Sequence, residues 1–129
     1  PGDVVQVTYD LSPRYVVSHP RVADNVGKAA VMRGPVVYCA EQADNGEGIA
    51  CLRLPHSPAF TQTEAFWGNG TMALKTRGAR AVFADNDALY QDQLPQWEGA
   101  DIRLIPYCLW ANRGEGEMRV YLNVAAQGE

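Results

Sequence analysis

The chain has 129 residues, of which 47% are hydrophobic and 20% are charged. This length predicts one domain and is sufficient for a buried core. Its net charge of -4 and pI near 5.1 argue against a nucleic-acid-binding surface. No apolar run approaches the roughly 18 residues of a membrane span and no signal peptide opens the chain, so membrane insertion is not expected.

The three cysteines, Cys39, Cys51 and Cys108, each stand alone within an apolar run. An odd number of cysteines without a Cys-x-x-Cys pair is typical of free, buried thiols in a reducing compartment. We therefore predict a cytoplasmic location. A metal-binding or nucleophilic cysteine would need a cluster of partners that the sequence does not offer, so no cofactor and no metal site are expected in this domain.

Residues 28–41 organise the chain. Two runs with β-type alternation meet at Gly34-Pro35, a dipeptide that marks a turn or a sharp bend. The second run is apolar on both faces, which predicts a central strand covered on both sides. Residues 35–39 are therefore expected among the most buried of the chain.

Alternation and turn signals predict further short strands along the rest of the chain. They are expected at residues 4–9, 14–18, 49–54, 71–77, 79–84, 103–110 and 118–124, with an extended segment at 60–67. About eight to ten short strands without a helical period indicate an all-β fold, an antiparallel β-sandwich of jelly-roll type.

The polar segment at residues 85–101 is expected to be a long surface connection. It carries large apolar side chains that are candidates for docking onto another domain or for contacting a sugar: Leu89, Tyr90, Leu94 and Trp97. The tryptophans, Trp67, Trp97 and Trp110, are expected to pack in the core or against another domain. Trp110 ends an apolar run and is expected in the core, whereas Trp97 lies in the long connection, where a side chain can be exposed. An exposed indole is the kind of side chain that stacks on a sugar ring.

The sequence holds no catalytic constellation that can be assigned. Its two histidines, His19 and His56, lie beside prolines without further metal ligands nearby. Glycoside hydrolysis requires two carboxylates across a cleft. The turn-adjacent acids are expected to be solvated surface groups; they are Glu41, Asp44, Glu47, Glu115 and Glu117.

Four blocks, in order, resemble one known family, glycoside hydrolase family 127, the β-L-arabinofuranosidase-like enzymes. The blocks are residues 18–22 with 27–30, residues 33–39, residues 44–45 and residues 105–120. They are similar to the C-terminal β-sandwich region of that family, and the resemblance spans most of the chain.

The resemblance implies that the chemistry lies upstream, in an α/α barrel with a cysteine nucleophile in a zinc site of further cysteines and a glutamate. None of those residues is carried onto this sequence. Residues 1–129 are therefore expected to be a single accessory domain, a fragment of a larger hydrolase and not an enzyme alone. The expected partners are the catalytic barrel of the same chain or a second copy in a homodimer. The alternative is a carbohydrate-binding module that uses exposed aromatics.

Overall fold

The computed structural model describes residues 2–4, 11–64, 72–84, 88–110 and 114–128. Trp67 and all but the first residue of the strand predicted at residues 4–9 lie outside these ranges. The strands described are β1 (Pro13–Val16), β2 (Lys28–Arg33), β3 (Val36–Glu41), β4 (Leu52–Leu54), β5 (Thr61–Glu64), β6 (Met72–Val82), β7 (Gln96–Pro106), β8 (Met118–Arg119) and β9 (Leu122–Val124). One helical turn, α1 (Gln42–Asn45), and 3₁₀ turns at Ala23–Asn25, Ile49–Cys51 and Tyr107–Leu109 complete the elements.

The turn predicted at Gly34-Pro35 is present, and it joins β2 and β3 in a hairpin. β2 and β3 pair in antiparallel register from Val31 opposite Tyr38 to the turn, where Gly34 has a φ of 59°. The buried part of β3 differs from the expectation at residues 35–39, because Pro35 and Val36 are exposed and burial begins at Tyr38. Residues 36 and 37 pair only with β2, whereas from Tyr38 onward β3 also pairs with β7 and then with β8.

The strands form one sheet in the order β1-β2-β9-β4-β6-β7-β3-β8, with β5 beside β6. Because β2 also pairs with β3, the pairings return from β3 to β2 and close a circuit. The all-β prediction is confirmed. One pair, β4 with β9, is parallel, against the antiparallel expectation. Side-chain alternation is the same beside a parallel or an antiparallel neighbour, so the sequence pattern does not encode this difference.

The predicted break at Gly78 is wrong, because β6 runs through it as one strand from Met72 to Val82. Gly78 pairs with Ala100 of β7, and a Cβ at this position would lie 2.3 Å from the Arg53 carbonyl oxygen. The glycine is thus needed where the backbone of β4 closely approaches β6.

The long connection predicted at residues 85–101 is also shorter than expected. β7 begins at Gln96 and continues through Gly99, opposite Ala79 of β6. Pairing with β6 therefore overrides the loop-like composition of residues 96–101, and the connection that remains covers residues 83–95.

The main core lies on the inner face of β4, β6 and β7. Its fully buried members include Ile49, Leu52, Leu54, Leu74 and Ile102. A second, smaller cluster on the opposite face joins Cys39, Ala73 and Ile105. Both faces of the sheet are thus covered near β3, as its apolar sequence predicts. Among the described residues, no helix has the length and apolarity needed to cross a membrane.

Candidate docking and binding surfaces

The four predicted contact residues do not lie together on one loop. Leu89, Tyr90 and Leu94 lie on the connection between β6 and β7 and are 93%, 92% and 92% exposed. We call these three residues the hairpin-tip surface. Trp97 lies instead within β7, opposite Ala81, where it is 41% exposed. The structure therefore separates an apolar loop surface from an aromatic residue on the sheet.

Trp97 is covered on one side by an arginine. Register places Arg53 of β4 opposite Ala79 and Trp97 opposite Ala81, so both side chains project from the same face of the sheet. The Arg53 guanidinium carbon lies 4.0 Å from the centroid of the indole ring, within range of a cation–π interaction. A sugar ring could stack only on the opposite face of this indole.

An exposed aromatic pair that the sequence analysis missed lies just after β7. Tyr107 and Trp110 are 47% and 45% exposed, and their rings are nearly parallel, with centroids 6.4 Å apart and planes inclined by 20°. The expectation that Trp110 packs in the core is therefore wrong. Pro106 ends the strand and the 3₁₀ turn Tyr107–Leu109 breaks the alternation, so Trp110 points away from the core. The sequence signal that could have predicted the exposure of Trp110 is Pro106, which lies within the apolar run.

The cysteines differ in exposure. Cys39 is buried, as predicted, whereas Cys51 is half-buried and Cys108 is exposed in the 3₁₀ turn. The expectation of three buried thiols is thus wrong for Cys108, for the same reason as for Trp110. In the part of the chain that the structure describes, no three His, Cys, Asp or Glu side chains come together as metal ligands. The described cysteines therefore do not fit the zinc site that the resemblance implies for the barrel.

The turn-adjacent acids divide into two groups. Glu47, Glu115 and Glu117 are exposed, as expected. Glu41 is buried at the end of β3, and only 4% of the Asp44 side chain is exposed, with its Oδ1 3.9 Å from Nη1 of Arg103. The expectation of solvated acids is wrong for these two, because the turn that follows β3 folds back against β7.

Hydrogen bonds between side chains and backbone groups hold that turn in place. The Asn45 amide accepts from the Arg103 backbone N–H (2.9 Å) and donates to the Arg103 carbonyl oxygen (2.9 Å). Arg80 donates to the carbonyl oxygens of Glu47 and Asn45 from the other side. These contacts assign the Asp44-Asn45 block a structural role.

An apolar cleft of about 440 Å³ opens between the end of β1, the start of β2 and the end of β9. We call it the valine cleft, because Val17, Val26 and Val124 form its apolar walls. Tyr15 and His56 also line it. The Tyr15 hydroxyl donates to the Pro55 carbonyl oxygen (2.7 Å), and burial raises the pKa of Tyr15 to about 12, so the phenol stays protonated at neutral pH.

Comparison with known proteins agrees with the resemblance seen in the sequence. The model of the "Glycoside hydrolase family 127 C-terminal domain" matches residues 13–123. A non-reducing end β-L-arabinofuranosidase of Bifidobacterium longum subsp. longum is 37% identical, in an alignment that covers 93% of this chain and 20% of the relative.

Solved structures give the same result. A GH127 β-L-arabinofuranosidase from Geobacillus stearothermophilus T6 superposes with a TM-score of 0.81 and 37% identity, over 88% of this chain and 18% of that one. A second GH127 enzyme, a β-arabinofuranosidase, gives a TM-score of 0.76 and 32% identity, over 90% and 18%. The chain thus spans about a fifth of the length of these relatives. It belongs to the C-terminal domain family of glycoside hydrolase family 127.

Proposed function

We propose that this domain is a non-catalytic accessory domain of a longer, β-L-arabinofuranosidase-like glycoside hydrolase, in which it packs against the catalytic barrel. The observation that carries the proposal is the hairpin-tip surface, where three large apolar side chains are more than nine-tenths exposed. Large apolar side chains this exposed on one segment are typical of surfaces that another part of a protein covers. The relatives, of which this chain matches a fifth, support a large covalently attached neighbour.

The catalytic chemistry belongs, in this proposal, to the part of the protein outside the domain. The zinc that the resemblance implies would be held there. A cytoplasmic location is part of the same proposal, and the exposed free thiol of Cys108 supports it, because such thiols persist in reducing compartments.

A variant of the full-length protein tests the docking role. The double variant Leu89→Asp and Leu94→Asp should place two negative charges in the contact. The free energy of unfolding of the full-length protein should then fall by at least about 1 kcal/mol. Gln91→Asp with Gln93→Asp is the matched control on the same exposed segment, with an expected effect within about 0.5 kcal/mol. Equal effects of the two double variants in urea unfolding would contradict docking at this surface.

Carbohydrate binding is a second candidate function, and one observation favours it. Tyr107 and Trp110 present two nearly parallel, half-exposed rings on a turn that follows a buried strand. Exposed, rigidly held aromatic rings can stack on the apolar faces of sugars. Titration with an arabino-oligosaccharide, described in the Discussion, separates this function from docking.

A further inference from the structure

The valine cleft has walls that are apolar and unusually exposed for their chemistry. Val17 and Val26, on its rim, are 70% and 63% exposed. The volume of about 440 Å³ falls within the range of about 300–1,000 Å³ that ligand pockets occupy. Apolar side chains this exposed are typical of surfaces that another part of a protein covers, so their exposure fits an occupant that is part of a larger surface.

The cleft is held in place by three hydrogen bonds, two of which join segments far apart in the sequence. The Asn25 amide donates to the Ser18 hydroxyl (3.1 Å), and that hydroxyl donates to the hydroxyl of Tyr121 (3.3 Å). The Val124 N–H donates to the Gly27 carbonyl oxygen (3.0 Å), which fixes the end of β9 against the start of β2. An occupant would therefore meet a preformed site and pay little to order it.

The polar groups around the cleft are already engaged within the domain. Lys28 Nζ donates to the Asp24 carbonyl oxygen (2.9 Å) and the Tyr15 hydroxyl to that of Pro55. His56 Nδ1 lies 3.2 Å from the Ala125 carbonyl oxygen, and it is the donor of this hydrogen bond because a carbonyl oxygen can only accept. An apolar side chain would leave these hydrogen bonds intact, whereas a polar occupant would compete for the groups that make them.

We propose that the valine cleft receives an apolar side chain from the remaining part of the longer hydrolase, as a point of contact in addition to the hairpin-tip surface. This inference rests on the proposed function. The occupant is covalently attached, since the relatives carry about four-fifths of their length outside the matched region. Attachment raises its effective concentration to the millimolar range, and the contact at the hairpin-tip surface adds to it, so the side chain does not have to hold the two parts together alone.

Thiol labelling of the full-length protein tests this contact. Three variants, Val26→Cys, Leu89→Cys and Val36→Cys, are treated with iodoacetamide, and alkylation is followed peptide by peptide by mass spectrometry. Val36 is exposed at the turn between β2 and β3, far along β2 from the cleft, and serves as the control. Cysteine is close to valine in size, and slow labelling of the buried Cys39 verifies that each variant is folded.

We expect the thiol at position 26 to react about 100-fold more slowly than that at position 36, although Val26 is the more exposed of the two in this domain. Equal rates at these positions overturn the cleft contact. If the thiol at position 89 is then still protected, the proposed function stands, and if all three react equally, it falls as well. Protection at position 26 that disappears on dilution also overturns the inference, because a second copy would then be the occupant.

Discussion

Arg53 and Trp97 lie against each other across the sheet, with the guanidinium carbon of Arg53 4.0 Å from the centroid of the Trp97 indole. The two residues belong to β4 and β7, and β6 lies between these strands. The pair therefore ties three strands together on the outer face of the sheet. It also gives Trp97 a structural partner, which weakens the interpretation of this residue as a sugar platform.

The Arg53–Trp97 pair should contribute to stability. In a double-mutant cycle with Arg53→Leu and Trp97→Leu, we expect a coupling free energy of about 0.5–2 kcal/mol, because the guanidinium is partly desolvated on the ring. Urea unfolding of the four proteins measures it. Additive effects of the two substitutions would show that the contact contributes nothing.

Sugars should not bind to the exposed tryptophans. We expect no saturable change in the intrinsic fluorescence of the chain when an arabino-oligosaccharide is added up to millimolar concentration, because Arg53 covers one face of Trp97 and the role we propose for this domain is docking. Trp97→Phe and Trp110→Phe are the controls. Quenching that saturates in the original chain and is lost in either variant would support the carbohydrate-binding module instead.

Gly78 should tolerate no side chain. A Cβ there would lie 2.3 Å from the Arg53 carbonyl oxygen and 2.6 Å from Ile102 Cδ1, so Gly78→Ala should destabilise the domain by about 1–3 kcal/mol. Gly99→Ala is the matched control on the paired strand, where the new methyl group would meet only the end of the flexible Arg77 side chain at 2.7 Å. Chemical unfolding of both variants should show the larger loss at Gly78, and the reverse order would contradict the close approach of β4 and β6.

A comparison of Gly34 with Gly78 shows where sequence patterns are sufficient and where they are not. The hairpin around Gly34 could be predicted, because alternation and a turn dipeptide are local signals. Whether β6 continues through Gly78 depends on its partners in β4 and β7, Arg53 and Ala100, which lie more than twenty residues away in the sequence. The same holds for Trp97, which is part of a strand because residues 74–82 pair with residues 96–104 along their whole length.

The candidate surfaces were predictable only in part. Leu89, Tyr90 and Leu94 could be identified because large apolar groups in a polar connection are unusual. Tyr107 and Trp110 were missed because a continuous apolar run predicts a buried strand. The 3₁₀ turn after Pro106 ends that strand and directs the following side chains away from the core. The valine cleft could not be foreseen at all, since its walls come from both ends of the chain.

The stability of the domain should fall at high pH in a way that depends on Tyr15. Burial raises the pKa of this phenol to about 12, above its unfolded value near 10, so the folded state holds the proton more tightly. Its contribution is then complete below about pH 10 and is lost as the pH rises toward 12. The stability difference between the original chain and Tyr15→Phe, measured by urea unfolding, should therefore shrink across that interval. A difference that stays constant would contradict the burial of this hydroxyl.

The most direct test of the accessory role is the release of the aryl group from an aryl β-L-arabinofuranoside by the purified 129-residue chain and by the full-length protein at equal molar concentration. Circular dichroism of the chain, with the spectrum of a β protein, verifies that it is folded. We predict turnover by the full-length protein and none above background by the chain. Turnover by the folded chain itself, abolished by a metal chelator, would contradict the account.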